Sequence, residues 1–166
     1  MRRFTHRERL QKHLLCFLPT FFTNDMLNEL VYCSVATRVM DADDLRELLD
    51  HARSKNSSLG VTGTLLYNDQ TREFIQLLEG DSETLDMLME KISSDERHTS
   101  IDIMYRGRIE TRSFEGWSMA YRAFADIAPP LREGITSFRP DDSPEDQGWS
   151  RASRARTIFT DLSKKM

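Results

Sequence analysis

Long apolar runs are missing from this 166-residue chain. None approaches the ~20 residues that a transmembrane helix needs. Cysteine is nearly missing too. Cys16 and Cys33 form no CxxC and have no paired histidines nearby, and His6, His13, His51 and His98 make no ligand pattern. The pattern argues against a disulfide framework or a zinc site, and the apolar neighbours of both cysteines predict buried free thiols in a reducing compartment. Proline (5) and glycine (7) are scarce, which excludes collagen-like and low-complexity character. Positive charge is also short. With 23 basic against 27 acidic residues the net charge is −4, not the basic footprint of a dedicated nucleic-acid binder.

What is present suits one ordinary domain with tails. Hydrophobic residues make up 39% and charged residues 30%. A chain of this size buries enough surface to fold without a covalent staple. Residues 1–26 form a basic N-terminal extension. Up to Asn24 it has five basic residues and one acidic, net +4, leaving −8 for the remainder. Leu10, Leu14, Phe17 and Leu18 would share one side of a helix there. A secretory signal fits poorly, because Cys16, Pro19 and Thr20 interrupt the apolar stretch and no small-residue cleavage site follows. An accessory helix, or sequence upstream of the true start at Met26, is favoured over a membrane-surface or partner-binding helix.

A regular pattern follows. Glu29–Val35 is rich in β-branched and aromatic residues and reads as a strand, with Leu30, Tyr32 and Ser34 on one face. Asp41–Lys55 reads as a helix on the spacing of Leu45, Leu48, Leu49 and Ala52, acidic at its start, basic at its end and stopped by Asn56. Val61–Tyr67 and Glu73–Glu79 are strands joined by a turn over 68–72. Gly80 breaks the second of these, and Ser82 caps a helix to about Ile92. Thr99–Tyr105 and Trp117–Arg122 complete five strands. The order β-α-β-β-α-β-β predicts an α+β, ferredoxin-like sandwich: a mixed sheet with two helices on one face. Residues 126–166 hold Pro129-Pro130, an acidic loop and a helix from about Ser150 to Lys164. That helical cap, carrying Ala155, Ile158, Phe159 and Leu162, would cover the other sheet face.

Some polar residues stand where core residues belong. Alternation puts Gln76 between Phe74 and Leu78, with both ends of its amide to satisfy. Tyr32 brings a phenol to the same face. Asn56 follows the first helix, and Arg97-His98 the second. Each has an ordinary explanation: a core tyrosine, an exposed glutamine, a helix cap, a solvated loop. Converging, they would set donors and acceptors inside an apolar pocket, as in a cofactor site.

Five motifs, in order, resemble the BLUF family, the blue-light sensors that use FAD. They are Leu30-Val31-Tyr32-Cys33-Ser34; Asn56 through Gly60-Val61-Thr62-Gly63 to Tyr67; Phe74-Ile75-Gln76-Leu77-Leu78-Glu79-Gly80; Asp95-Glu96-Arg97-His98; and Phe114-Glu115-Gly116-Trp117-Ser118-Met119. The resemblance covers Leu27 to Phe124 and implies a flavin-binding domain over 27–125, followed by a C-terminal output segment over 126–166. Two features depart from the family: a longer turn between Tyr67 and Gln76, at a hairpin tip where insertion is tolerated, and the N-terminal extension.

The resemblance implies roles at matching positions. Tyr32 is the electron and proton donor to excited flavin, and Gln76 bridges the phenol and the flavin. Asn56 bonds the carbonyl edge of the ring, and Lys55 lies beside it. Arg97 and His98 help to hold the cofactor, FAD. Trp117 and Met119 form a fifth-strand pair that relays the change outward. A glutamine amide exchanges donor for acceptor on rotation or tautomerisation, and a new hydrogen bond to the flavin would shift its absorption to the red. The expected protein is a short cytoplasmic photoreceptor, not an enzyme. It would be a homo-oligomer that signals to a separate, unidentified protein, with no direct nucleic-acid or membrane-spanning role. A flavin oxidoreductase on the same scaffold, and an interaction module without active flavin, are the alternatives.

Overall fold

The computed structural model describes residues 26–129 together with 132, 159 and 161. The N-terminal extension and most of the C-terminal segment lie outside the described residues. Five strands and two helices alternate as β1 (Leu27–Ala36), α1 (Ala42–Leu59), β2 (Thr62–Asn68), β3 (Glu73–Asp81), α2 (Ser82–Ser93), β4 (His98–Arg108) and β5 (Ala120–Ala123). The sheet order is β4-β1-β3-β2-β5. β1 pairs antiparallel with β3 and β4, β2 antiparallel with β3, and β5 parallel with β2. This is the expected mixed, ferredoxin-like sheet.

α1 begins at a capping box. The Asp41 carboxylate accepts from the Asp43 and Asp44 amides, both at 2.9 Å, and Asp44 accepts from the Asp41 amide at 3.1 Å. The helix does not stop at Asn56. It runs to Leu59 and ends on Gly60, whose φ of 65° is the left-handed conformation that glycine adopts without a Cβ penalty. Asn56 is therefore a buried residue inside the last turns, 2% exposed. Lys55 is no longer in the last turn, so the helix end gains no basic side chain from it.

Two further boundaries move. Gly80 does not break β3. It pairs opposite Asn28, and the strand continues to Asp81. Asp81, not Ser82, caps α2, accepting from the Glu83 and Thr84 amides at 3.0 and 3.3 Å. β5 begins at Ala120, not Trp117. The carbonyls of the preceding residues are already taken: Trp117 by the Gly63 amide (3.1 Å), Ser118 by Asn56 Nδ2 (2.8 Å) and Met119 by Arg53 Nε (3.1 Å).

Strand alternation builds two cores. On the helix side Leu30, Tyr32, Leu65, Phe74 and Leu78 meet Leu48 and Leu49 of α1 and Leu85, Leu88 and Met89 of α2. On the other side Val31, Leu66 and Leu77 meet Phe114, Ala120, Ile127 and Phe159. Phe159 is the one residue of the expected covering face described as buried there. Cys33 is a free thiol, half-buried rather than buried, and Cys16 lies outside the described residues. No described helix is long and apolar enough to cross a membrane.

Candidate functional site

β1 and β3 lie side by side with Tyr32 directly opposite Gln76. Both side chains point to the helix side, where they line a cleft shared with α1 and α2. The Tyr32 hydroxyl donates to Gln76 Oε1. Gln76 Nε2 donates in turn to Met119 Sδ at 3.4 Å, a weak acceptor for an amide. The chain Tyr32–Gln76–Met119 thus crosses the sheet from β1 to the segment before β5.

Above this floor is a cleft of about 190 Å³ between the sheet and the facing sides of α1 and α2. Leu48, Leu65, Leu88 and Ile92 give it apolar walls. Tyr32, Lys55, Asn56, Gln76, Arg97 and His98 all line it, so the structure brings these six expected residues together. Met119 adjoins the cleft through Gln76. Trp117 does not line it and is 47% exposed.

Each polar group has a defined state. Burial, reinforced by the Asp95 charge, holds the Tyr32 phenol well above its ordinary pKa, so it keeps its proton at neutral pH. Asn56 spends its amide nitrogen on Ser118, and its oxygen accepts no hydrogen bond among the described residues. Asp95 clasps Arg97 through bonds of 2.6, 3.0 and 3.1 Å, and the guanidinium pulls its carboxyl down to about 2. Burial holds His98 below the usual imidazole range, against the pull of Asp95. Its Nδ1 lies 3.1 Å from Ser34 Oγ and its ring 5.2 Å from that of Phe74.

His51, Arg53 and Lys91 were not singled out from the sequence, yet His51 and Lys91 line the cleft and Arg53 holds Met119. Helical spacing carried the signal: His51, Ala52, Lys55 and Asn56 share a face of α1, and Leu88, Lys91 and Ile92 a face of α2. Among the described residues no cluster could hold a metal ion.

These features define the class: a ferredoxin-like α+β domain with an apolar-walled, ring-sized cleft over its two central strands. Comparison with known proteins supplies the family. Residues 27–120 match the family described as sensors of blue-light using FAD. The chain is 34% identical over 115 residues to the photoactivated adenylate cyclase subunit beta of Euglena longa, covering 68% of this chain and 13% of that protein. It is 35% identical over 95 residues to the alpha subunit of Euglena gracilis, covering 56% and 9%. Among solved structures, the dark state of BlrB, a BLUF protein, superposes with a TM-score of 0.67 at 26% identity, covering 86% of this chain and 98% of that one. Klebsiella pneumoniae BlrP1 with FMN and cyclic diGMP gives 0.59 at 31% identity, covering 82% and 35%. The chain belongs to the BLUF family of blue-light sensors. It spans only a small part of the cyclase subunits it matches.

Proposed function

We propose that this chain is a blue-light photoreceptor whose cleft binds FAD non-covalently and whose Tyr32–Gln76 pair converts illumination into a changed protein contact. The hydrogen-bonded chain Tyr32–Gln76–Met119 on the cleft floor carries the reading. Bound flavin supplies the absorption of blue light and the excited-state electron acceptor. Its ring edge needs both donors and acceptors, and the site offers both: the Gln76 amide nitrogen, whose partner among the described residues is the Met119 sulfur, and the Asn56 side-chain oxygen. Lys55, Arg97 and His98 complete the cofactor set at the rim.

Tyr32 would be the electron donor to bound flavin, and among the described residues its hydroxyl donates to Gln76 Oε1. A rearranged Gln76 amide no longer presents the same groups to Tyr32 and Met119, so the change reaches the segment before β5. Trp117 and Met119 relay it. The sensor unit is 27–125, with 126–166 as a helical output segment after it. The output is altered binding of a separate signalling protein by a cytoplasmic homo-oligomer, without catalysis by this chain.

The test is an absorption spectrum of the purified full chain in the dark, after blue light and during recovery. A flavin spectrum that shifts to the red without bleaching, and then returns, is expected. A bleached or unresponsive flavin, steady NAD(P)H consumption, or a colourless protein that refuses added FAD would overturn the reading.

A further inference from the structure

We propose that Glu79 is a positioning residue of the light response. Its carboxylate fixes the upstream end of the segment that carries Trp117 and Met119, and so sets how readily Met119 returns to Gln76 in the dark. The proposal rests on the flavin and relay reading above and adds a residue on the opposite side of the sheet from the cleft.

Residues 109–119 contain neither helix nor strand, so their placement depends on bonds to other elements. Those bonds fall in two groups. Downstream, the carbonyls of 117–119 accept from Gly63, Asn56 and Arg53. Upstream, Glu79 Oε1 accepts from the Ser113 amide at 2.5 Å, and Oε2 from the Phe114 amide at 3.1 Å and from Thr62 Oγ1 at 2.8 Å. Arg112 donates to the same Thr62 oxygen at 2.8 Å and to the Glu79 carbonyl at 2.6 Å. One turn joins the two groups, closed by the Trp117 amide donating to the Phe114 carbonyl at 3.0 Å. Phe114 is thus held by Glu79 through its N–H and holds Trp117 through its C=O.

Glu79 is fully buried and lies three residues beyond Gln76 on β3. Alternation sends its side chain to the far face, and it does not line the cleft. One strand therefore carries both the amide that bonds Met119 and the anchor of the Met119 segment. A buried carboxylate is costly unless its oxygens are hydrogen-bonded, and here both accept. The donors also dictate the residue type. A carboxylate only accepts, whereas the amide of Glu79→Gln would set an NH2 group against one of the two backbone N–H groups. With its upstream end released, the segment has more positions to leave before Met119 meets Gln76 Nε2 again.

The test is the rate of dark recovery after blue light, followed by absorbance in the purified full chain loaded with FAD. Glu79→Gln should take up flavin and shift to the red, because Tyr32 and Gln76 are untouched, but should recover about threefold more slowly. Thr62→Val keeps the side-chain shape, removes one donor to the carboxylate and should slow recovery in the same sense; it reads the same role if Glu79→Gln does not fold. With Met119→Ala already in place, neither substitution should slow recovery further, because Glu79 acts through the Met119 segment. A merely structural Glu79 would lower the melting temperature and leave the recovery rate alone. Recovery that is unchanged or faster in both variants, or slowed equally with and without the Met119 side chain, would overturn the proposal while leaving flavin binding intact. A wild-type chain without a reversible red shift would instead sink the flavin reading itself, and the role of Glu79 with it.

Discussion

At the scale of single residues, Tyr32 and Gln76 are a cross-strand pair whose geometry is set by register. A shift of one residue in β1 or β3 would turn one of them to the opposite face. Tyr32→Phe removes the donor to Gln76 Oε1 and keeps the ring. The variant should take up flavin and lose the reversible red shift. It should be destabilised by about 1 kcal/mol, read by urea unfolding. Gln76→Leu should give the same spectroscopic loss; a normal red shift in either variant would remove the assigned roles. The pH response belongs to this scale as well. His98 is depressed in the folded state, so the unfolded chain binds its proton first, and stability falls as pH drops below ~6.5. Asp95, lowered to about 2, adds stability that is full above ~4 and lost as pH falls towards 2. Melting temperature against pH should show both losses, and Asp95→Asn should abolish the more acidic one. Tyr32 and Gln76 were readable from alternation because both sit in regular strands. Lys91 was not, because a charged residue on a helix is normally solvated and helical spacing marks its face without saying that the face borders a cleft, and Arg53 was not, because its bond to the Met119 carbonyl is tertiary.

At the scale of elements, periodicity told where strands and helices lie, and tertiary bonds decided where they end. α1 outlasts Asn56 because Gly60 can take the left-handed cap and Asn56 has a use inside the fold, on the Ser118 carbonyl. β5 starts late because α1 and β2 have claimed the carbonyls of 117–119. Gly60 is a local stop signal, but the bonds to Ser118 and to the other carbonyls of 117–119 are tertiary and are not encoded within either segment. The same contacts make α1 a brace for the segment before β5. Asn56→Ala should strip one bond from Ser118 and speed amide hydrogen exchange around 117–120, at a cost of about 1–2 kcal/mol. Unchanged exchange there would show that the brace lies elsewhere. Gly63 is an element-scale constraint of another kind. A Cβ on it would collide with the Leu77 carbonyl oxygen of β3. Gly63→Ala should therefore cost about 1–3 kcal/mol by prising β2 from β3, measured by urea unfolding.

At the scale of the whole molecule, the sheet separates two cores, and neighbouring residues before and in β5 belong to different ones. Met119 packs in the helix-side core with Tyr32, and Ala120 in the opposite core with Phe114 and Phe159. Under the proposed relay, a displacement of Met119 moves a residue whose neighbour packs in the far core, with no long path through the sheet. That far face is tied down firmly at one corner. The buried Glu79 carboxylate accepts from Thr62 Oγ1 at 2.8 Å and from the Ser113 and Phe114 amides at 2.5 and 3.1 Å. Arg112 donates to the Glu79 and Gly60 carbonyls at 2.6 and 2.8 Å. These bonds hold residues 112–114 to β2 and β3, and Phe114 shares its core with Ala120 and Phe159. Phe159 is remote from the cleft and buried among apolar side chains, so Phe159→Ala separates the two faces experimentally. The variant should lose about 3 kcal/mol by urea unfolding, the cost of emptying a buried aromatic site. Its flavin uptake and red shift should stay normal, because Tyr32, Gln76 and Met119 are untouched. What should vanish is any light-dependent change in protease protection of residues after 126. A red shift lost together with that protection would mean that the two cores are one cooperative unit, and that the far face shapes the cleft rather than merely receiving its signal.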